Sequence, residues 1–219
     1  MCGRFAQGEF PASIRKIIRE LLEEVAADYN ISPAEKAGVI LKEEGRQPVM
    51  RRCEWGLLPQ WDGFGGKPAR VVRLFNARAE TVAEKASFRE AFRRRRCLVP
   101  ALGFYEWRNA PGRKIPHYFE AADAERPVVM GGIWEEARGV RAFSIITTEA
   151  NSTLSPVHTR MPVILPPEDW LDWLNPAQGD TRLLHAMMRP VPGDFLRGRE
   201  VSFHVNDPAN KGPACIVAV

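Results

Sequence analysis

The 219-residue sequence predicts an α+β fold, built mainly on antiparallel β-sheet that is curved or barrel-like, with short peripheral helices. Strand-like segments outnumber helix-like ones, and the two kinds do not alternate as they do in parallel α/β sheets. In addition, no repeat, low-complexity tract or long linker divides the chain. The length suffices for a sizeable core, so we expect one domain over residues 1–219.

The predicted elements begin with an amphipathic helix over residues 11–27, where apolar side chains recur at helical spacing. Three glycines and a proline predict a loop at 62–70. Further helices are predicted at 87–96, starting at Ser87, and at 167–174 and 180–188. Strands are predicted at residues 39–44, 48–59, 73–81, 96–107, 114–121, 127–137, 141–150 and 200–206.

Net charge, cysteine positions and apolar runs indicate which partners and cofactors to expect. The net charge of +4 and the pI near 9.0 are compatible with a polyanionic partner but do not require one. The four cysteines and four histidines are too dispersed for a structural metal site, so we expect reduced thiols, no metal and no cofactor. Without an apolar signal segment or a long apolar run, the sequence predicts a cytoplasmic protein with no membrane association.

Cys2 invites a chemical interpretation because of its place in the chain. Cysteine is small enough for the initiator methionine before it to be removed. The mature chain would then carry an α-amine and a thiol on adjacent carbons, a pair that no internal residue offers.

The segment FNARAET holds three polar residues at alternate positions, Asn76, Arg78 and Glu80. In a strand these side chains would line one wall at spacings of about 6.6 Å, with alanines behind them. Taken alone, the pattern is explained more simply by a solvated face of an edge strand.

Glu106 and His158 are candidate proton-transfer residues. Glu106 stands among aromatic residues in GFYEWR, and such surroundings would desolvate a carboxylate and raise its pKa. An ion pair with an arginine is an alternative of equal weight. His158 precedes Arg160 by two positions in HTR, and histidine exchanges protons near neutral pH. A lone histidine is more often structural, so a catalytic role requires that His158 share a pocket with Cys2 and Glu106.

Two further features are candidates for contact with nucleic acid. The arginine run 93–96 is either a solvated helix end or a set of phosphate contacts. Trp55 and Trp61 can both be core residues, and Trp61, next to the predicted loop, is the better candidate for stacking on an unpaired base.

Seven segments, in this order, resemble the SRAP domain family, whose members process abasic sites in DNA: MCGRF, YNISP, WGLLPQW, FNARAET, RRCLVPALGFYEW, HTRMPVIL and VSFHVN. Each segment is weak evidence by itself. Together they cover nearly the whole chain, and their shared order makes the resemblance specific.

The resemblance implies a covalent sensor of abasic sites in single-stranded DNA. Cys2, exposed after removal of Met1, would form a thiazolidine with the ring-opened sugar, and Asn76 would orient its amine. Glu106 would transfer protons, and His158 would assist ring opening and imine chemistry.

The same resemblance implies how the protein holds DNA and where it acts. Arg4, Arg78 and Arg160 fall where the family holds DNA phosphates. We expect a monomer that is cytoplasmic, associates with the nucleoid when DNA is damaged, and takes part in the SOS response. Weak lyase activity is a secondary expectation, and the only peptidase-type reaction expected is removal of Met1.

Three other functions remain open from the residues. Class II glutamine amidotransferases also begin Met-Cys-Gly and use a processed cysteine as nucleophile, although their glutamine-binding segments have no clear counterpart here. A general peptidase is suggested by the family's older name. A non-covalent reader of modified bases would not need Cys2.

Overall fold

The fold is described from a computed structural model, in which residues 2–9, 12–17, 20–21, 26–58, 73–137 and 139–219 are described. The strands are β1 Phe5–Gln7, β2 Glu20–Leu21, β3 Asp28–Ile31, β4 Lys36–Leu41, β5 Val49–Trp55, β6 Asn76–Arg78, β7 Arg96–Ala101, β8 Gly103–Ala110, β9 Arg113–Ala121, β10 Val128–Ala137, β11 Val140–Glu149, β12 Arg160–Pro162 and β13 Leu196–Glu200. The α-helices are α1 Ala12–Ile17, α2 Arg89–Arg94, α3 Trp170–Leu174 and α4 Thr181–Met187. Short 3₁₀ helices lie at Pro167–Asp169, Gly193–Phe195, Phe203–Asn206 and Pro213–Ile216.

A five-stranded sheet carries the N-terminus. Its order is β13-β9-β8-β1-β3, and every pairing in it is antiparallel. The long β8–β9 hairpin sets Glu106 opposite His117 and Phe104 opposite Phe119. Because β1 pairs with β8 through Phe5 and Phe104, the residues before β1 run beside the middle of β8.

A larger second sheet closes into a barrel. Its order is β12-β11-β10-β7-β4-β5-β2, and an additional parallel pairing of β11 with β5 joins five of these strands in a ring. Parallel β6 and antiparallel β12 also pair with β11, near the end of that strand. The predicted α+β class with curved, mainly antiparallel sheet is therefore confirmed, although three of the barrel-sheet pairings are parallel.

Apolar side chains form three clusters that hold these layers together. One lies between the two sheets and includes Cys2, Phe5, Phe104, Trp55 and Phe143. The second joins barrel strands to the helices, and the third lies between the other face of the five-stranded sheet and the C-terminal segment. Successive side chains of β8 point to opposite faces of the sheet, so Phe104 belongs to the first cluster and its neighbour Tyr105 to the third. Trp55 is thus a core residue, fully buried.

The N-terminal helix is much shorter than predicted. It ends at Ile17 instead of continuing to residue 27, and the chain forms β2 at Glu20–Leu21, which pairs in parallel with Val49 and Met50 of β5. A short amphipathic helix has little stability of its own, so pairing with a sheet edge can replace it.

The boundaries of several other strands and helices also differ from the predicted ones. The predicted strand 73–81 is a strand only at Asn76–Arg78, and the strand expected at 39–44 ends at Leu41. The final strand is Leu196–Glu200 instead of 200–206, because Ser202 accepts a hydrogen bond from the backbone N–H of His204 and starts a 3₁₀ turn there. Helix α2 begins at Arg89 without a side-chain cap from Ser87.

The arginine run has three different environments. Arg93 and Arg94 lie on the surface near Glu90, and Arg95 pairs with Glu135. Arg96 is turned inward with 2% of its surface exposed. It donates to five backbone carbonyls, those of Phe92, Arg93, Trp173, Asn175 and Gln178. These oxygens lie at the C-terminal ends of α2 and α3 and just beyond, so one guanidinium caps both helices.

Candidate functional site

Cys2 lies where the two sheets meet. With Met1 still attached, the Cys2 side chain is fully buried and packs in the apolar cluster between the two sheets. Burial and, secondarily, the nearby negative charge of Glu106 raise the pKa of the Cys2 thiol well above its ordinary value. The thiol is therefore neutral at pH 7, and Glu106 is close enough for its charge to act on it.

Asn76 contacts Cys2 directly from the opposite sheet. Strand β6 places it opposite Ile145 of β11, and Asn76 Nδ2 donates to the carbonyl oxygen of Cys2 at 2.7 Å. Its Oδ1 is buried and has no hydrogen-bond partner within the ranges that the structure describes. The predicted alternation in this segment is observed, with Ala77 and Ala79 buried and Arg78 and Glu80 exposed.

Glu106 is a buried carboxylate in the centre of β8, with 3% of its surface exposed. Burial raises its pKa to about 7. It shares a strand face with His117, its cross-strand partner on β9. A carboxyl group with this pKa can both accept and donate a proton at neutral pH.

His158 approaches Glu106 from the loop before β12. Its Nε2 lies 3.9 Å from Glu106 Oε2, and burial lowers the pKa of the imidazole below its ordinary value. The backbone N–H of Arg160 donates to Nδ1 at 3.0 Å. The carbonyl oxygen of Arg160 lies 3.1 Å from the same Nδ1, so the contacts at Nδ1 suit either tautomer, and an ionised Glu106 opposite Nε2 favours the tautomer with its proton on Nε2.

The structure thus brings together the four predicted catalytic residues, which the sequence separates widely. The five-stranded sheet contributes Cys2 and Glu106, and the barrel sheet contributes Asn76 and His158. The arrangement offers an N-terminal thiol, an amide that holds its backbone, and two groups able to exchange protons near pH 7. Such a set suits addition to a carbonyl carbon followed by loss of water.

The predicted phosphate-binding arginines differ in their surroundings. Arg78 is exposed, and no hydrogen bond or ion pair engages its side chain among the residues described. Arg4 is half-buried: its Nη1 donates to Asn30 Oδ1 at 2.6 Å and to the carbonyl of Val205 at 2.9 Å, and its guanidinium lies 5.9 Å from the centre of the Trp107 ring.

Arg160 is engaged with the protein itself. Its Nη1 and Nη2 donate to the two carboxylate oxygens of Glu80 at 2.5 and 2.9 Å, and Nη2 also donates to the carbonyl of Thr147. Trp61 lies outside the described residues, as does the predicted loop at 62–70.

Two further residues support the site. The alternation in FNARAET places Glu80 on the same face as Asn76, but nothing local indicates Arg160 as its partner, and Asn30 is not indicated by the sequence pattern at all. Asn30, in the YNISP segment, is fully buried and donates through Nδ2 to the carbonyls of Val205, Asp207 and Asn210. It ties the C-terminal segment to Arg4 and hence to the N-terminus.

The described ranges contain neither a metal-binding cluster nor a membrane-spanning helix. They contain no group of three or more histidine, cysteine and acidic side chains placed to hold a metal ion. No helix in these ranges has the length and apolarity needed to span a membrane.

The chain matches a known protein family and several named proteins. The profile of the family described as SOS response associated peptidase (SRAP) matches residues 1–208. The abasic site processing protein YoqW of Bacillus subtilis is 34% identical over 227 residues, covering 99% of each chain. YedK of Escherichia coli, which has the same descriptive name, is 29% identical and is matched over 100% of both chains.

Solved structures share the fold. A protein from Bacteroides thetaiotaomicron superposes with a TM-score of 0.80 at 24% identity, and 100% of each chain is covered. A protein from Bordetella bronchiseptica gives a TM-score of 0.75 at 25% identity, over 92% of this chain and 100% of that one. The likeness to the Bacteroides thetaiotaomicron protein, at 24% identity, shows that the two chains share the two-sheet fold.

Proposed function

Because the chain belongs to the SOS response associated peptidase (SRAP) family, we propose that it processes abasic sites in DNA by linking itself covalently to the damaged sugar through Cys2. Relatives named abasic site processing proteins match the chain from end to end. The observation that carries the proposal is the convergence of Asn76, Glu106 and His158 around the N-terminal Cys2.

The chemistry begins with removal of Met1. An α-amine has a reference pKa of about 7.7–8.0, so an appreciable fraction is unprotonated at neutral pH. This amine attacks the aldehyde carbon of the ring-opened abasic sugar, and loss of one water gives an imine. The Cys2 thiol then adds to the same carbon while its proton passes to the imine nitrogen. The product is a five-membered thiazolidine, whose closure is favoured because both nucleophiles belong to one residue.

Each neighbour has a role in this sequence. The buried Oδ1 of Asn76 can accept a hydrogen bond from the mature α-amine, while Nδ2 holds the Cys2 carbonyl. Glu106, with a pKa near 7, can take the proton released by the attacking amine and give it to the departing water, and can then carry the thiol proton to the imine nitrogen. His158 carries its proton towards Glu106 and can assist opening of the sugar ring.

Single-stranded DNA is the substrate that this site favours. An abasic sugar has no base to unstack, so it enters a pocket at little cost, and an unpaired strand avoids the cost of opening a duplex. Exposed Arg78, next to Asn76 on β6, is suitably placed for a flanking phosphate. The imine intermediate also allows β-elimination, so a slow lyase reaction is part of the proposal.

The test uses the mature protein and a single-stranded oligonucleotide with one abasic site. We expect a denaturant- and heat-resistant adduct with the wild type and none with Cys2→Ala. Mass spectrometry of the tryptic N-terminal peptide should show the sugar on residue 2 with the loss of one water.

Cys97→Ala is the matched control, because Cys97 is also fully buried but lies on β7 in the barrel. Binding of the abasic oligonucleotide by wild type and by Cys2→Ala alike, without any adduct, would support a non-covalent reader. Release of ammonia from glutamine without any DNA adduct would support the amidotransferase alternative. Either result would overturn the proposal.

A further inference from the structure

A bidentate ion pair between Arg160 and Glu80 lies beside the candidate site and does not contact its reacting atoms. The guanidinium of Arg160 and the carboxylate of Glu80 share two parallel hydrogen bonds, an arrangement that fixes the plane of both groups. The Arg160 side chain is 15% exposed and that of Glu80 is 47% exposed. The hydrogen bonds to Arg160 hold the pKa of Glu80 below its ordinary value, so Glu80 is ionised at neutral pH.

This pair joins three strands. Glu80 follows β6, Arg160 begins β12, and Thr147 of β11 lies between them. The Thr147 carbonyl accepts both from Arg160 Nη2 at 2.5 Å and from the backbone N–H of Ala79 at 2.9 Å. The segment that carries His158 is therefore fastened to the segment that carries Asn76.

The main chain of Arg160 extends the connection to His158. Its N–H donates to His158 Nδ1 at 3.0 Å, and its carbonyl oxygen lies 3.1 Å from the same nitrogen. Nδ1 therefore has a main-chain partner in either tautomer, and the ring can rotate away only if this main-chain position changes, while Nε2 stays directed at Glu106. Arg160 is held at both ends: its side chain by Glu80 and its backbone by the β11 pairing of Glu149 with Arg160.

From these contacts we propose that Glu80 is a positioning residue, which acts through Arg160 to hold the His158 ring with its Nε2 proton directed at Glu106. The expected effect of Glu80 on the reaction rate rests on the proposed function, whereas its expected effect on the His158 ring does not. Glu80 itself contacts neither Cys2 nor Glu106 through any hydrogen bond or ion pair found among the described residues.

The structural consequence is tested by NMR without DNA. Long-range ¹H–¹⁵N correlations distinguish a proton on Nδ1 from one on Nε2, and His158→Ala assigns the signal among the four histidines. At about pH 8, where the ring is neutral, we expect a single Nε2-protonated form in the wild type. Glu80→Gln, which removes the charge and one acceptor, should give a mixture of both forms.

The kinetic consequence is tested by a double-mutant cycle on adduct formation. We expect His158→Ala to slow the reaction about 100-fold and Glu80→Gln about tenfold. Because Glu80 acts only through His158, the double variant should be no slower than His158→Ala alone. Glu84→Gln, the same change at an exposed carboxylate in the same turn, is the control and should leave both measurements unchanged.

Opposite results have clear meanings. An unaltered His158 tautomer in Glu80→Gln, or losses that multiply in the double variant, would overturn the positioning role. If the wild type forms no adduct, the proposed function fails, and the NMR comparison still decides whether Glu80 orients His158. Thermal unfolding of each variant shows whether a loss reflects misfolding, and Glu80→Asp, which keeps the charge but shortens the side chain, should then show an intermediate tautomer mixture.

Discussion

The side-chain amide of Asn76 holds the main-chain carbonyl of Cys2 at 2.7 Å, although 74 positions separate the two residues. This bond spans the boundary between the two sheets. The Cys2 side chain packs in the cluster between the sheets, and Asn76 Oδ1 is buried. The N-terminal residue is thus located by a partner that comes from a different sheet.

Replacing Asn76 with aspartate should slow adduct formation at least about tenfold. The carboxylate cannot donate to the Cys2 carbonyl, and leaving a buried acceptor unsatisfied costs about 1–3 kcal/mol. Its charge would also favour the protonated, unreactive amine. Single-turnover rates on abasic single-stranded DNA measure the effect. Asn109→Asp, at an exposed position near the end of β8, is the control and should react at the wild-type rate.

Glu106 should make stability depend on pH. Its folded-state pKa of about 7 lies above its ordinary value of 4.5, so the folded state binds the extra proton between these values and stability falls as pH rises through them. The difference corresponds to about 3 kcal/mol.

The Glu106→Gln variant has no carboxyl group to ionise at this position. Its free energy of unfolding, relative to that of the wild type, should therefore rise from pH 5 to pH 8. Urea unfolding at the two pH values measures it. An equal difference at both values would show that the Glu106 pKa is not raised. Glu84→Gln, at an exposed carboxylate, should follow the wild type throughout.

Arg78 should contribute to binding of single-stranded DNA through its charge. Removing one phosphate contact lowers the slope of log Kd against log salt concentration by about 0.7–1. We expect this change in Arg78→Gln, measured by fluorescence anisotropy with an undamaged oligonucleotide. Arg93→Gln removes the same charge from the surface of α2, and a similar loss of slope there would indicate a general charge effect instead of a specific contact.

Arg96 should be important for stability and irrelevant to chemistry. Arg96→Met would leave carbonyls at the ends of α2 and α3 without their donor, and we expect a loss of about 3 kcal/mol in the free energy of unfolding. Arg93→Met, at a side chain 64% exposed, should change it by less than about 0.5 kcal/mol. Urea unfolding compares the two. Adduct formation by folded Arg96→Met should remain near the wild-type rate, and a large loss would contradict a purely structural role.

Most strands, the fold class and the family can be predicted from the amino-acid pattern alone. Alternating side chains and strand-forming runs indicate β8 to β11 because they reflect local backbone preferences and burial on a sheet face. The order of short segments identified the family, and the aromatic neighbours of Glu106 correctly indicated a desolvated carboxylate with a raised pKa.

Contacts between distant side chains depend on how the strands and helices pack. The carboxylate of Glu80 could pair with any of many arginines, and the packing of β6 and β12 on β11 selected Arg160. The run 93–96 looks uniform in sequence, yet packing of α2 and α3 buries Arg96 and leaves Arg93 in solvent. The helix expected at 11–27 gave way to a strand at Glu20–Leu21 because a neighbouring sheet edge was available. Such contacts depend on residues far apart in the chain, which local periodicity does not encode.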